Sequence, residues 1–586
     1  MPEGQLMGAA PVDKTLVAYF SMEVGLDPSM PTYAGGLGVL AGDTIRTAAD
    51  IGLPMVAVTL LYRSGHFFQR LDAQGIQTGE PVRWALNDFL ESLDARTEVE
   101  IEGRKVHVRA WRYLLTGQSG FHVPVYLLDT DLAENSEWDR TLTGVLYGGD
   151  QYYRLCQELL LGIGGVRMLR ALGYHRIGRF HLNEGHAALL VVGLLEEERA
   201  AGGDGPVTAE MVDAVRHRCI FTTHTPVPAG HDQFPADLTR RVLGDQYWDW
   251  LRLCGQDTVL NMTALALRCS RYVNGVAMKH GEVSQSMYPG YPVHSITNGV
   301  HAATWAAPSF RTLFDRHVPD WRRDPLTLRY AVGIAGAEIW AAHLEAKRRL
   351  IEFINHESNE GLDVDVLTLG FARRAATYKR LTLLFHDLER LKGIARQVGR
   401  FQLVFAGKAH PHDEGGKELI RLVHQFREAL RGHVPVVYLS NYDMVLAKIL
   451  CAGVDVWLNT PLPPHEASGT SGMKAAMNGV PSLSVLDGWW IEGHVEGVTG
   501  WSIGDRVEAC LEPKEGMDSC HAAALYDKLE QNVVPCFYKD RDRFIGIMRH
   551  TIAINGSFFN THRMIAQYMN DAYSALEPYF VRVISA

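Results

Sequence analysis

The sequence lacks the features that mark disulfide-built, membrane and polyanion-binding proteins. Only 8 cysteines occur in 586 residues (Cys156, Cys219, Cys254, Cys269, Cys451, Cys510, Cys520 and Cys536), with no C-x-x-C pair among them. Such scatter excludes a disulfide framework and a zinc ribbon, and it suits packing in a reducing compartment. No apolar run approaches the length of a bilayer span, and Met1–Lys14 has no basic segment followed by an apolar one, so a soluble, cytoplasmic protein is expected. Positive charge is also short: 57 Lys and Arg stand against 67 Asp and Glu, a net −10. Nucleic acid and anionic membranes are therefore excluded as partners. No internal repeat or low-complexity tract is present. A cluster of cations in such an acidic chain would be local, and would suit a small anion.

What is present is globular material in quantity. Hydrophobic residues make up 47% of the chain, charged residues 21% and aromatics 9%, enough for more than one large core. Short β-branched apolar runs alternate with longer stretches of 3.6-residue period, the pattern of βα units and parallel sheets. Strands are expected at Thr15–Ser21, Met55–Leu61, Ile177–Leu182 and Cys219–Thr223, then at Val366–Phe371, Gln402–Ala406, Pro435–Leu439, Val454–Leu458 and Ser482–Leu486. Helices are expected over Asp150–Arg170, Ala337–Asn355, Glu414–Arg431 and Thr561–Ala575. The stretch Pro289–Trp321, rich in Pro, Gly, Asn and Thr, marks the crossover between two sheets. The expected fold is α/β, with two Rossmann-like doubly wound lobes over 1–300 and 301–560 and a closing helix over 561–586 that returns to the first lobe. Ligands of such sheets bind beyond the carboxyl ends of the strands, so chemistry is expected in the cleft between the lobes.

The loops after strands carry the informative motifs. In Thr32-Tyr-Ala-Gly-Gly-Leu-Gly-Val-Leu-Ala-Gly-Asp43, the glycines at 35, 36 and 38 let backbone amides approach a phosphate at a helix N-terminus. His181-Leu-Asn-Glu-Gly-His186 does not meet the spacing of helical zinc motifs, so no metal is expected there. His410-Pro-His-Asp-Glu414 reads as a solvated loop before a helix, and His224 of Phe221-Thr-Thr-His-Thr-Pro-Val-Pro228 sits just past a strand end. The strongest signal is the exit of Val366–Phe371, where Arg373, Arg374, Lys379 and Arg380 crowd a buried strand end and suggest an oxyanion site. In His465-Glu-Ala-Ser-Gly-Thr-Ser-Gly-Met-Lys-Ala-Ala-Met-Asn-Gly479, small residues form a loop that runs into a helix carrying Lys474 near its start. A lysine among Gly472, Met473, Ala475 and Ala476 is desolvated, which lowers its pKa and favours condensation with an aldehyde. The residues alone stop at a phosphate-bearing aldehyde cofactor.

Together these loops resemble the α-glucan (glycogen, starch or maltodextrin) phosphorylase family in its shorter bacterial form. The resemblance runs from Ala18-Tyr-Phe-Ser-Met-Glu23 to about Trp501, and Glu466-Ala-Ser-Gly-Thr-Ser-Gly-Met-Lys474 is its most specific part. It implies the two-lobed glycosyltransferase fold of GT-B type, with Lys474 as the lysine that binds pyridoxal 5′-phosphate. Arg373, Gly469, Thr470 and Ser471 would hold the cofactor phosphate, and Arg374 and Lys379 the substrate phosphate, with help from Gly35, Gly36 and Leu37. Asn298 of Ile296-Thr-Asn-Gly-Val-His301, Tyr378, Glu466, Ser468 and Gly469 would hold the glucosyl unit, and the carbonyl of His224 would face its anomeric carbon. Two dianionic phosphates near 5 Å apart repel by on the order of 10 kcal/mol at an effective dielectric of about 20, and the local cations answer that need. The resemblance implies retaining phosphorolysis of terminal α-1,4-links by inorganic phosphate, giving α-glucose 1-phosphate from an α-1,4-glucan, and a possible homodimer. Two other readings fit part of the pattern. A nucleotide-sugar-dependent glucan synthase would use the Arg/Lys cluster but not Lys474, and an inactive glucan-binding regulator would need the sugar contacts but not two phosphate sites.

Overall fold

The computed structural model describes residues 16–574, apart from 204, 228–229, 359 and 505–515. Met1–Lys14, Pro228, Cys510 and positions 575–586 of the expected closing helix lie outside the described residues. Two large sheets organise the rest. The first contains β1 (Val17–Ser21), β2 (Met55–Leu60), β3 (Glu91–Ile101), β4 (Arg104–Thr116), β5 (His122–Asp129), β6 (Arg179–Asn183), β7 (Cys219–Thr222), β8 (Tyr272–Gly275) and β9 (His294–Ser295). The second contains β10 (Leu367–Ala372), β11 (Phe401–Ala406), β12 (Val436–Leu439), β13 (Val456–Asn459), β14 (Ser482–Val485) and β15 (Gly500–Ile503). All nine expected strands are among them.

The apolar runs form strands because both faces of each sheet are covered, which makes continuous hydrophobic segments rather than alternating ones the stable choice. In β1, Ala18 and Phe20 enter one core with Val56 and Val58, while Val17 and Tyr19 enter the opposite core with Met55 and Ala57. In the second sheet, Leu367, Leu369 and Phe371 face one core and Ala372, Val404 and Val437 the other.

The second sheet is parallel throughout, in the order β12-β11-β10-β13-β14-β15, so the order reverses between β10 and β13. The first runs β9-β8-β7-β6-β1-β2-β5-β4-β3 and reverses between β1 and β6. Loops diverge at each reversal and leave a crevice, the place where doubly wound sheets take ligands.

One correction concerns the edge of the first sheet. The expected pattern was parallel, yet β5, β4 and β3 form an antiparallel meander. Its hairpin turns at Glu102-Gly103, with φ of 52° and 73°. Alternating Val99, Ile101, Val106 and Val108 bury one face while charged residues line the other, a period-2 pattern that a search for buried parallel strands passes over. The helix expected over Asp150–Arg170 starts at an Asp150 cap, which accepts from Tyr153 N at 2.9 Å, and continues through a wide turn at Leu160–Gly164. In the C-terminal segment, Met564, Ile565, Tyr568 and Tyr573 pack into the core of the first sheet.

Candidate functional site

At the exit of β10 the chain turns through the cation-rich segment, and the structure divides its four charges. Arg380, in a left-handed conformation, points away from the crevice: its Nε donates to the Thr460 carbonyl at 2.9 Å, its Nη2 to Pro461 at 2.7 Å, and its Nη1 pairs with Asp518 at 2.8 Å. It fastens the loop after β13, so the expected cluster of four is a group of three. Lys379 donates to both carboxylate oxygens of Glu466, at 2.8 and 2.7 Å, and Arg373 donates to Glu466 and to Asn459 at the end of β13. Burial pushes the Glu466 carboxyl upward, but the charges of Arg373 and Lys379 outweigh it and hold the pKa down at about 2. Arg374 reaches solvent and forms no ion pair among the described residues.

Behind Glu466 lies a carboxyl group that sequence reasoning missed. Asp487 follows β14 and accepts from the amides of Glu466 at 2.8 Å and Gly488 at 2.9 Å. Burial first, and the neighbouring Glu466 charge with it, push its pKa up to about 7 against the pull of those amides and of Lys379.

Gly469, at φ 89°, takes the left-handed turn that opens α2 (Thr470–Ala476). The first-turn amides of α2 have no intrahelical acceptor and present partial positive charge. Lys474 is 6% exposed, with its Nζ 4.1 Å from the centroid of the Trp305 ring and no carboxylate partner among the described residues. Burial pulls its pKa below the ordinary lysine value, opposed by Asp43 and Cys451. The Trp305 indole donates to Asp43 at 2.7 Å, and Asp43 stands on α1 (Gly36–Asp50). The amine therefore rests on an aromatic ring that packs in the core of the second sheet and is hydrogen-bonded to α1.

The loops of the first sheet supply the opposite wall. Glu23, just beyond β1, accepts from the amides of Ala34 at 2.6 Å and Gly35 at 3.0 Å and from Tyr147 at 2.8 Å. This holds the glycine loop at the start of α1, where Gly36 and Leu37 are first-turn residues without intrahelical acceptors. A Cβ at Gly35 or Gly36 would meet open space, whereas one at Gly38 would lie 2.6 Å from Tyr33 and 2.7 Å from Glu23. Packing demands glycine at 38 only; the other two leave room for a ligand to approach the amides.

His224 donates from Nε2 to Asn183 at 2.7 Å and from its amide to Glu184 at 2.8 Å. Burial, and then His280, His181 and His186, lower its pKa to about 3, so the ring is neutral. Asn298 lies with His224 and Asn183 around a cavity of about 10 Å³, room for roughly one water. The side-chain oxygens of Asn298 and Ser468 are buried without a partner among the described residues, and orphaned polar atoms of this kind call for a hydrogen-bonding guest. Tyr378 places its ring 4.4 Å from Lys379 Nζ.

The geometry thus joins Arg373, Lys379 and Glu466 directly, sets Lys474 on Trp305, and groups Asn298 with His224; no bond links Lys474 to the three cations among the described residues. One reading of the histidine motifs changes. His410, expected in a solvated loop, is half-buried with its ring 5.7 Å from that of His66 across the cleft, and Asp413 caps the following helix Glu414–Leu430. His181 and His186 do not meet: the first is bonded to Tyr573 at 2.7 Å and Thr222 at 2.9 Å, the second faces Asp232 at 3.4 Å. Glu23, Asn183, Glu184, Asn459 and Asp487 were missed. For Glu23 and Asp487 the available signal was an acidic residue just beyond a buried strand.

Comparison with known proteins shows the family of the chain. A model of the carbohydrate phosphorylase family matches residues 231–500. Maltodextrin phosphorylase of Thermococcus litoralis is 42% identical over 95% of this chain and 70% of the relative. Glycogen phosphorylase of Mycobacterium tuberculosis is 38% identical over 99% of this chain and 73% of the relative, and that of Aquifex aeolicus 35% over 96% and 87%. The chain belongs to the carbohydrate phosphorylase family. Among the described residues no helix is long and apolar enough to cross a membrane.

Proposed function

We infer that the protein is an α-glucan phosphorylase, in which inorganic phosphate cleaves a terminal α-1,4-glucosidic bond and releases α-glucose 1-phosphate with retention at the anomeric carbon. The observation that carries this reading is Lys474, a buried amine without a carboxylate partner among the described residues; it lies in the last turn of the short helix α2 rather than near its start as expected, and the loop before that helix bears Glu466 and so reaches Arg373 and Lys379.

The residues fit pyridoxal 5′-phosphate. Its aldehyde suits the desolvated amine of Lys474, and its phosphate suits Arg373, Gly469 and the amides of Thr470 and Ser471 at the start of α2. When bound, the cofactor supplies a phosphate group that exchanges a proton with substrate phosphate. Arg374, Lys379 and the amides of Gly36 and Leu37 bind the substrate phosphate and offset repulsion between the two anions. Glu466, Asn298, Tyr378, Ser468 and Gly469 hydrogen-bond the sugar hydroxyls, for which carboxylate, amide and hydroxyl groups are suitable partners. The carbonyl of His224 faces the anomeric carbon, with its ring fixed by Asn183.

A phosphate oxygen bonds to C1 as the glucosidic C1–O bond breaks, and the departing 4-hydroxyl takes the proton that the phosphate yields. The oxocarbenium character of the transition state is stabilised by the adjacent anions. Glu466 pairs with both Arg373 and Lys379 and offsets one of their two positive charges, which leaves positive charge for a phosphate.

Borohydride reduction followed by peptide mapping tests the assignment: a phosphopyridoxyl adduct on Lys474, together with glucose 1-phosphate release from maltodextrin and phosphate, is expected. Incorporation of glucose from a nucleotide donor without any such adduct would overturn it in favour of a glucan synthase.

A further inference from the structure

The loop that carries Asn298 is gripped from two sides by residues outside the cleft. Arg563, on α3 (Thr561–Tyr568) of the C-terminal segment, donates to two successive carbonyls of this loop, Thr297 at 2.7 Å from Nη1 and Asn298 at 2.9 Å from Nη2. The rest of the guanidinium is also engaged, through Nε to the Phe558 carbonyl at 3.0 Å and Nη1 to Gln567 at 2.6 Å, so the planar fork has one orientation. From the second lobe, Glu492 accepts from the Thr297 hydroxyl at 2.7 Å, and its other oxygen accepts from the Met278 amide at 2.9 Å, at the start of helix Met278–Met287. The C-terminal chain crosses directly over the next residues: Val300 N donates to Phe559 at 3.1 Å and Thr561 N to Val300 at 3.1 Å. A Cβ at Gly299 would lie 2.2 Å from the Asn560 backbone, so the crossing tolerates nothing larger than glycine.

We propose that Arg563 and Glu492 are positioning residues for the glucosyl unit, acting through the Thr297–Asn298 loop. Neither touches the sugar. Arg563 fixes the carbonyls of the two peptides that flank the Asn298 Cα, and Glu492 ties the same loop to the lobe that carries Glu466. The unpartnered oxygen of Asn298 is thereby held against rotation, and sugar selection depends on a helix remote from the cleft in sequence. This inference rests on the assignment of Asn298 to the glucosyl site.

The experiment compares the cofactor-loaded enzyme with its Arg563→Lys, Thr297→Val, Glu492→Ala, Glu492→Gln and Asn298→Ala variants, reading D-glucose inhibition, the KM for inorganic phosphate and the melting temperature. Lysine keeps the charge but cannot span two carbonyls, and valine removes the Glu492 bond without touching α3. Arg563→Lys, Thr297→Val and Glu492→Ala are each expected to raise the glucose inhibition constant about tenfold, the size of a lost hydrogen bond to a charged group, with phosphate KM changed less than about twofold. Glu492→Gln, which keeps one acceptor oxygen, restores part of that loss. Inhibition constant and phosphate KM rising together would show a merely structural role, and unchanged inhibition in variants that melt like the wild type would equally overturn the proposal. An Asn298→Ala variant with unchanged glucose inhibition would instead remove the sugar-site assignment itself, and this inference with it.

Discussion

On the side of the first sheet, the groups the cleft wall leaves for a ligand carry no net charge: the amides that open α1, the side chains of Asn183 and Asn298, and a neutral His224. Its carboxylates, Glu23 and Glu184, are turned to backbone amides. On the side of the second sheet the wall is ionic, with Arg373, Arg374, Lys379, Glu466, Lys474 and Asp487 grouped around the reversal between β10 and β13. The contrast follows the two halves of the proposed reaction. A polyol is matched by neutral donors and acceptors, whereas phosphate demands fixed positive charge. One fold, used twice, supplies two chemistries because the loops at each reversal carry different residues.

If that division holds, damage to each wall should show in a different parameter. The largest effect is expected for Lys474→Ala, which removes the amine proposed to hold the cofactor: turnover falls below detection while maltodextrin binding, measured by calorimetry, stays near the wild-type value. Loss of glucan binding as well would mean that the lysine supports the fold of both walls. Next comes Glu466→Gln, at the boundary between them. Its pKa near 2 keeps Glu466 charged at neutral pH, so the substitution leaves Arg373 and Lys379 without a counter-charge. Turnover should fall by about a hundredfold with cofactor absorbance retained; a variant purified without cofactor would show that Glu466 belongs to the cofactor site instead.

Arg374→Ala is expected to act more narrowly. Among the described residues this side chain has no ion pair to lose, only a hydrogen bond with Tyr378, so folding should be little affected, and the KM for phosphate should rise by about tenfold while that for maltodextrin moves by less than about twofold. Equal changes in both constants would erase the distinction between the walls.

How much of this was legible in the sequence depends on the range of the interaction. Val366–Phe371 and Gln402–Ala406 could be read as strands because burial on both faces leaves a continuous apolar run, a local signal. The glycine loop and the start of α2 were likewise visible as small residues after strands. What could not be read is pairing at a distance. Glu466 binds cations 87 and 93 residues earlier, and Arg563 reaches a carbonyl 265 residues away. Nothing near Glu466 marks it as a counter-ion, because the partnership exists only once β13 lies beside β10. Arg380 shows the converse: it stands beside Lys379 in the chain but serves the loop after β13.

The smallest effect, and the most direct comparison of the two halves, lies in the response to acid. Burial raises the folded-state pKa of Asp487 from 3.8 to about 7, so between those values the folded chain holds a proton that the unfolded chain has released. The contribution of Asp487 to stability is therefore greatest at low pH and declines as pH rises toward 7. His181 of the first sheet, 2% exposed, has its pKa lowered by burial from 6.5 to about 3, so the unfolded chain binds the extra proton and stability declines as pH falls below 6.5. From pH 7 to pH 5 the two groups work in opposite directions, each by on the order of 1 to 2 kcal/mol. Denaturant melts of the wild type against Asp487→Asn should show a stability difference that moves in favour of the wild type on acidification. The same difference against His181→Gln should move against it. If both differences shift the same way, the charged and neutral walls are not electrostatically distinct, and the division of labour drawn from their side chains fails.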